Sequence, residues 1–324
     1  MIIRPRRLRK SQAIRNLTAE TRLNPSMLIY PVFVREGKNI LEDIPAMPGQ
    51  KRYSPDKLPI ILERAAKNKI GGILLFGIPE HKDEIASSAY DDNGVIQQAI
   101  KISKREFPEL VIIGDVCMCE YTSHGHCGLI KNGEVDNDTT LEVLAKIALS
   151  QAQAGADIVA PSDMMDGHTQ AIRSKLDANN LTDTLICSYA VKYASAFYGP
   201  FREAAGSAPA FGDRKTYQMD PRNSREAIKE AILDVNEGSD IIIVKPGLPY
   251  LDVLKTVKEN VNVPVASYSV SGEYSMMKAA SLNGWLDEKK VMSEAAISMT
   301  RAGADILITY YALELAEFML NGEL

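Results

Sequence analysis

Apolar positions along this chain fall into eight short, unbroken runs. Longer stretches separate them, and there apolar residues recur every three or four positions. The runs are Met27–Val34, Gly72–Phe76, Leu110–Val116, Asp157–Ala160, Thr184–Ser188, Asp240–Val244, Val265–Tyr268 and Asp305–Ile308. Most lack period-two alternation, as parallel strands buried on both faces do. Between them, Leu141, Leu144, Ala145, Ala148, Leu149 and Ala152 make one helical stripe. Thr139-x-x-Glu142 before it reads as a capping box. Ala227, Ile228, Ala231, Ile232 and Val235 repeat that stripe after Ser224.

A phrase recurs where helical stretches give way to strands: Gly155-Ala-Asp157, Gly238-Ser-Asp240 and Gly303-Ala-Asp305. Glycine there ends a helix before the strand begins. The spacings are unequal, so the repeat is a βα unit and not a solenoid. Eight such strands predict an α/β protein, a (β/α)8 TIM barrel spanning residues 26–324. The alternative is an open, doubly wound sheet, but no G-x-G-x-x-G follows Val34 to support a dinucleotide fold. Tyr198 to Tyr217 breaks the pattern with three glycines and Arg202, Arg214 and Lys215, and residues 199–218 are expected to form a lid.

Composition changes this picture little. The chain has 324 residues, 45% hydrophobic and 24% charged, with a net charge of −5, which excludes a disordered chain. No apolar run approaches the length of a membrane span, and no secretory signal is expected. Aromatics are 6%, too few for a single-strand stacking platform. The charge is uneven, however. Residues 1–22 carry seven cations against Glu20, a net of +6 beside a body of −11. Such an arm suits a nucleic acid, a membrane surface or an acidic face of another copy. An Arg-rich start also suits a mitochondrial presequence, but the first strand begins too soon after it to leave room.

Barrel chemistry sits where strands end at the C-terminal face. Those positions hold Asp115, Cys117, Ser162, Asp163, Lys192, Lys245, Ser271 and Tyr310. Lys245 closes the run Ile241-Ile-Ile-Val244 and precedes Pro246. An amine placed there loses water, which disfavours the ammonium and frees a nucleophile for Schiff-base chemistry. Lys192 sits equivalently, and two amines in one pocket would lower each other's pKa. Three of four cysteines lie close together as Cys117-x-Cys119-x7-Cys127. Three thiolates favour zinc, and the lack of a clear fourth ligand leaves a position open for water or substrate. His124 or His126 is the alternative that would close the site. His81 and His168 stand alone and are assigned nothing.

Together these residues resemble the porphobilinogen synthase (5-aminolaevulinate dehydratase) family, over essentially the whole chain. The likeness rests on Gly238–Tyr250 around Lys245, the segment Asp115–Gly128, Ala160–Gly167, Lys192–Arg202 and Val270–Tyr274. It implies a hydro-lyase of tetrapyrrole synthesis that joins two 5-aminolaevulinate molecules. Lys245 and Lys192 would each form a Schiff base. Cys117, Cys119 and Cys127 would hold a catalytic zinc, as in the cysteine form of the family. Arg202, Arg214 and Gln218 would bind one substrate, and Tyr268, Ser271 and Tyr310 the other, with Lys215 competing with Arg214 for the first role. Glu230 would bind an outer, allosteric magnesium. Residues 1–25 would make contacts in a homo-octamer, in the cytoplasm, with no nucleic-acid or membrane partner.

Two other readings compete. A lysine-dependent aldolase with a structural zinc explains Lys245 but not Lys192. A zinc-holding barrel whose arm recruits nucleic acid explains the arm and little else.

Overall fold

The computed structural model describes residues 2–324, so the first residue of the expected arm lies outside it. Eight parallel strands form the barrel: β1 (Leu28–Arg35), β2 (Gly72–Ile78), β3 (Val111–Val116), β4 (Ile158–Pro161), β5 (Leu185–Lys192), β6 (Ile241–Lys245), β7 (Val265–Ser269) and β8 (Ile306–Thr309). Closure comes from β1 pairing with β8, Leu28 opposite Leu307 and Ile29 opposite Ile308. All eight expected strands are present, in a closed barrel and not an open sheet. Their side chains are almost wholly buried, which is why the sequence shows runs instead of alternation.

Helices follow the strands: α1 (Leu58–Lys67), α2 (Val95–Glu106), α3 (Asn137–Gln153), α4 (His168–Asp177), α5 (Gly199–Ala205), α6 (Glu226–Asn236), α7 (Leu251–Asn260), α8 (Ser271–Leu282), α9 (Glu288–Ala302) and α10 (Ala312–Leu320). One helix start differs from expectation. α3 begins three residues earlier than a cap at Thr139 would allow. The Asp136 carboxylate accepts from Thr139 N at 3.1 Å and from its hydroxyl at 2.6 Å. A charged acceptor makes the stronger cap, so Asp136 sets the first turn and Thr139 serves as its donor.

The Gly-x-Asp phrase is one device used three times. Each glycine has positive φ at a helix end, +106° at Gly155, +108° at Gly238 and +120° at Gly303. Two residues on, the aspartate turns sideways to the neighbouring strand. Asp157 accepts from Ile112 N, Asp240 from Ile186 N and Asp305 from Val265 N, each at 2.8 Å. This satisfies a backbone donor at the strand's start, where the ladder has no partner for it. The glycines therefore end the helices and the aspartates tie down the strand starts at the N-terminal face, leaving the opposite face for chemistry.

Residues 2–25 lie outside the barrel. They hold a 3-10 turn (Pro5–Arg9) and a short helix (Gln12–Leu17), neither with a buried residue. Ile2, Ile3, Leu8 and Leu17 are exposed apolar side chains among the cations.

Candidate active site

The two lysines meet because their strands are neighbours. In the β5–β6 ladder Lys192 lies opposite Lys245. β5 runs four residues past the expected end at Ser188, since Tyr189, Ala190 and Val191 are also fully buried. Both amines therefore leave the same rim side by side. Lys245 Nζ sits 4.4 Å from the Tyr268 ring, 4.9 Å from Tyr189, 5.3 Å from Tyr198 and 5.4 Å from Phe201. Burial in this aromatic cage, and then the charge of Lys192, bring the Lys245 pKa down to about 7. Lys192 behaves differently. Burial disfavours its charge, but the thiol cluster more than restores it, and its pKa is raised. Its ammonium donates to the Ser162 carbonyl.

Beside them stands Asp115, at the end of β3. One oxygen accepts from the Ser162 hydroxyl at 3.0 Å, and the other is buried without a partner. Burial, then Glu120, push this carboxyl well above the usual range despite both lysines. The sequence placed Asp115 on the rim but gave it no role. Its unpaired oxygen beside two amines marks it as a proton-holding group.

Cys117, Cys119 and Cys127 converge just past β3, all buried, with their sulfurs within 4.8 Å of one another. Hydrogen bonds from Cys117 and Cys119 hold the Cys127 thiol well below its ordinary pKa, while those two thiols are themselves raised, so the thiolate character lies on Cys127. Neither histidine completes it. The His126 ring meets the Phe211 carbonyl and the Tyr217 hydroxyl, both at 3.0 Å, and His124 lies toward the Glu84 carbonyl at 3.4 Å. Three soft donors without an imidazole fit a thiophilic metal ion with an open position.

Residues 199–218, the expected lid, pack against the segment that carries this cluster, with α5 as their first third. Arg214 donates to the Gly125 carbonyl at 2.8 Å. Gly125 has φ +70°, and a side chain there would collide with the Ala208 carbonyl at 2.4 Å, so glycine lets the lid approach. Of the two neighbouring cations, Arg214 is turned inward and buried, while Lys215 is exposed beside Asp213 at 3.3 Å. Arg202 shares the cavity with Arg214, Cys119, Lys192 and Lys245. Its burial, and then Arg214, lower its pKa. The Nε atoms of both arginines and both amide atoms of Gln218 are buried without partners. Two cations thus share one enclosure, while Gln218 lines a neighbouring groove with Met164, Asp166 and Glu230.

On the other flank, the Tyr268 and Tyr310 hydroxyls lie 3.3 Å apart. The Ser271 hydroxyl accepts from Phe201 N at 2.9 Å, tying α8 to the lid. Glu230 is not with these residues. It lines a separate groove beside Asp166, Lys229 and Asp234. Burial, then Asp166, raise its pKa to about 7. Next to it lies a feature the sequence concealed. His168 is buried, its Nδ1 3.0 Å from Asp163 and its Nε2 3.3 Å from Asp234.

Comparison with known proteins gives one answer. The family model described as delta-aminolevulinic acid dehydratase matches residues 2–318. The chain is 53% identical to the delta-aminolevulinic acid dehydratase of Halalkalibacterium halodurans, covering 98% of this chain and 96% of that protein. It is 52% identical to that of Bacillus subtilis, covering 98% of each. Its structure resembles the crystal structure of the Toxoplasma gondii delta-aminolevulinic acid dehydratase (porphobilinogen synthase), solved in complex with the reaction product porphobilinogen. The TM-score is 0.97 at 46% identity, covering 99% of this chain and 92% of that one.

Proposed function

The chain belongs to the delta-aminolevulinic acid dehydratase family, and from that premise we propose how its residues carry out the reaction. It is a hydro-lyase of tetrapyrrole biosynthesis. Two molecules of 5-aminolaevulinate condense to one porphobilinogen, with loss of two waters. The observation that carries the residue assignment is the pairing of Lys192 with Lys245 at one buried rim.

Lys245, half neutral near pH 7, attacks the ketone carbon of one substrate, and water leaves as the imine forms. The aromatic cage keeps competing water away from that imine. Lys192 forms the second imine, or holds the second ketone as a cation. Asp115 passes protons between the two, since burial and then Glu120 raise its carboxyl and favour the protonated form. Arg202, Arg214 and Gln218 bind the carboxylate of the Lys192-side substrate. Tyr268, Ser271 and Tyr310 bind that of the Lys245-side substrate. Cys117, Cys119 and Cys127 would hold zinc, which when bound supplies Lewis-acid polarisation at the Lys192-side substrate.

We further assign residues 1–25 to subunit contacts in a homo-octamer, residues 199–218 to the lid, and Glu230 to an outer magnesium site. The setting proposed is the cytoplasm, without nucleic-acid or membrane partners; among the described residues no helix is long and apolar enough to cross a membrane.

The test is to incubate the protein with 5-aminolaevulinate, assay for a pyrrole, and reduce a parallel sample with borohydride. Pyrrole formation with substrate mass on Lys245 is the expected result. Pyrrole formation with Lys245 unmodified would overturn its role.

A further inference from the structure

Glu273 is the third residue of α8, fully buried, and its carboxylate faces backbone instead of a cation. One oxygen accepts from Leu248 N at 2.7 Å. The other accepts from Val270 N at 2.7 Å and from Gly247 N at 3.4 Å. The Val270 contact is the familiar reach of a helix's third residue back to its cap. The other two are not local. Leu248 and Gly247 belong to the loop leaving β6 directly after Lys245, whereas Val270 belongs to the loop leaving β7 directly before Ser271. A single carboxylate therefore bolts the two loops together. No charged side chain contributes to its titration, and the only opposing influence on its burial comes from those three backbone donors. A neutral amide cannot replace it, because only one of its two heteroatoms accepts.

Those two loops adjoin two residues of one binding site: Lys245 ends the strand before the first and Ser271 opens the helix after the second, while Tyr268 lies within β7 and Tyr310 follows β8. Lys245 takes the ketone carbon, while Tyr268, Ser271 and Tyr310 take the carboxylate. We propose that Glu273 is a positioning residue that fixes the span between the Lys245 amine and the carboxylate-binding Ser271 hydroxyl, and so selects the length of the keto acid between them. This rests on the assignment of Lys245 and the hydroxyl group set to the same substrate.

The Ser271 hydroxyl extends the effect. It accepts from Phe201 N at 2.9 Å, so the base of the lid takes its position from the same clamp. Phe201 is also part of the cage around Lys245. Loosening the clamp frees one loop to shift against the other, and a displacement of about 1 Å at a reacting centre costs on the order of 100-fold.

The experiment compares wild type with Glu273→Gln, using 5-aminolaevulinate and its homologue with one more methylene between ketone and carboxylate, 6-amino-5-oxohexanoate. Each is trapped with borohydride, and adducts at Lys245 and Lys192 are counted by mass spectrometry. Wild type should trap 5-aminolaevulinate at Lys245 in strong preference to the homologue. In Glu273→Gln, trapping at Lys245 should fall about 10- to 100-fold, trapping at Lys192 should persist, and the preference for the shorter acid should narrow. A purely structural role would lower every adduct together and leave the preference unchanged. An unchanged preference in the folded variant overturns the proposal. If wild type forms no adduct at Lys245, the assignment of that lysine fails, and the proposal with it. Glu273→Asp, which keeps the charge but is too short to hold both loops, is read in the same way should the Gln variant not fold.

Discussion

Lys245 and Lys192 stand opposite each other across β5 and β6, and both amines approach the ring of Tyr189, at 4.9 and 5.6 Å. Two ammonium groups in so enclosed a space repel, and the cost falls on Lys245, where burial and Lys192 outweigh the compensation from Asp115, Glu120 and Cys119. Lys192 faces the thiol cluster and keeps its proton. Lys245 faces aromatic rings and loses it near pH 7. The yield of borohydride-trapped adduct at Lys245 should therefore rise as pH increases through about 7. Lys192→Met removes the repulsion and should move that midpoint upward, by about one pH unit. A midpoint that stays put, or moves down, would show that Lys192 has no electrostatic hold on Lys245.

Removing metal tests the thiol cluster. Stripping the protein with a chelator should abolish pyrrole formation, and added zinc should restore it. Cobalt in place of zinc should give the charge-transfer absorption of thiolate ligation, and Cys117→Ala should weaken it. Full activity of a metal-free Cys117→Ala protein would refute a catalytic metal there.

The barrel was legible in the sequence because all eight strands are buried on both faces and so appear as unbroken apolar runs. The lysine pair was legible because strand ends and chemistry coincide on this fold. What escaped had a physical reason. β5 continues past the expected end at Ser188, since Tyr189 is buried with its ring 5.6 and 4.9 Å from the Lys192 and Lys245 amines. Thr139 looked like the cap of α3, but the stronger acceptor was three residues upstream. His168 looked isolated because Asp163 and Asp234 are five and sixty-six residues away. Glu273 read only as part of a motif, since its decisive partners are backbone amides, which leave no mark in a sequence.

The neighbouring cations Arg214 and Lys215 stand in different surroundings. Arg214 is buried with an unpartnered Nε, whereas Lys215 is exposed and pairs with Asp213. Arg214→Ala should raise KM by about 10- to 100-fold, the worth of a hydrogen bond to a charged group. Lys215→Ala should leave KM near the wild-type value. Amide exchange across residues 199–218 should slow when substrate binds. Equal KM changes in the two variants would remove the distinction.

The arm exposes Ile2, Ile3, Leu8 and Leu17 beside its cations. Exposed apolar side chains on a segment with no core of its own mark a surface that another molecule covers. An acidic barrel of the same chain suits the charge. Deleting residues 2–17 should lower the mass in solution, read by light scattering. An unchanged mass would remove the assignment of the arm to subunit contacts.

The last prediction concerns His168, whose imidazole joins the loop after β4 to α6. Burial alone would lower its pKa, but Asp163, by charge and hydrogen bond, and then Asp234 raise it well above the ordinary value. The protonated ring is thus a cation held between two carboxylates, and the Ser188 hydroxyl completes the group at 3.1 Å from Nε2. A group whose folded pKa is raised contributes stability that is fully present below its unfolded pKa, about 6.5. That contribution is lost as pH rises through the folded pKa. His168→Gln keeps most of the volume but leaves two carboxylates without their cation, and breaking a buried pair costs about 3–5 kcal/mol. Urea unfolding at pH 6 should show a loss of that order. Repeated at increasing pH, the gap between wild type and variant should narrow, because wild type alone gives up the charge. The loop that His168 anchors also carries Ser162, the acceptor of the Lys192 ammonium. Lys192 trapping in the variant should therefore fall even where the protein is fully folded. A gap in stability that does not change with pH would mean that His168 is neutral and serves as packing.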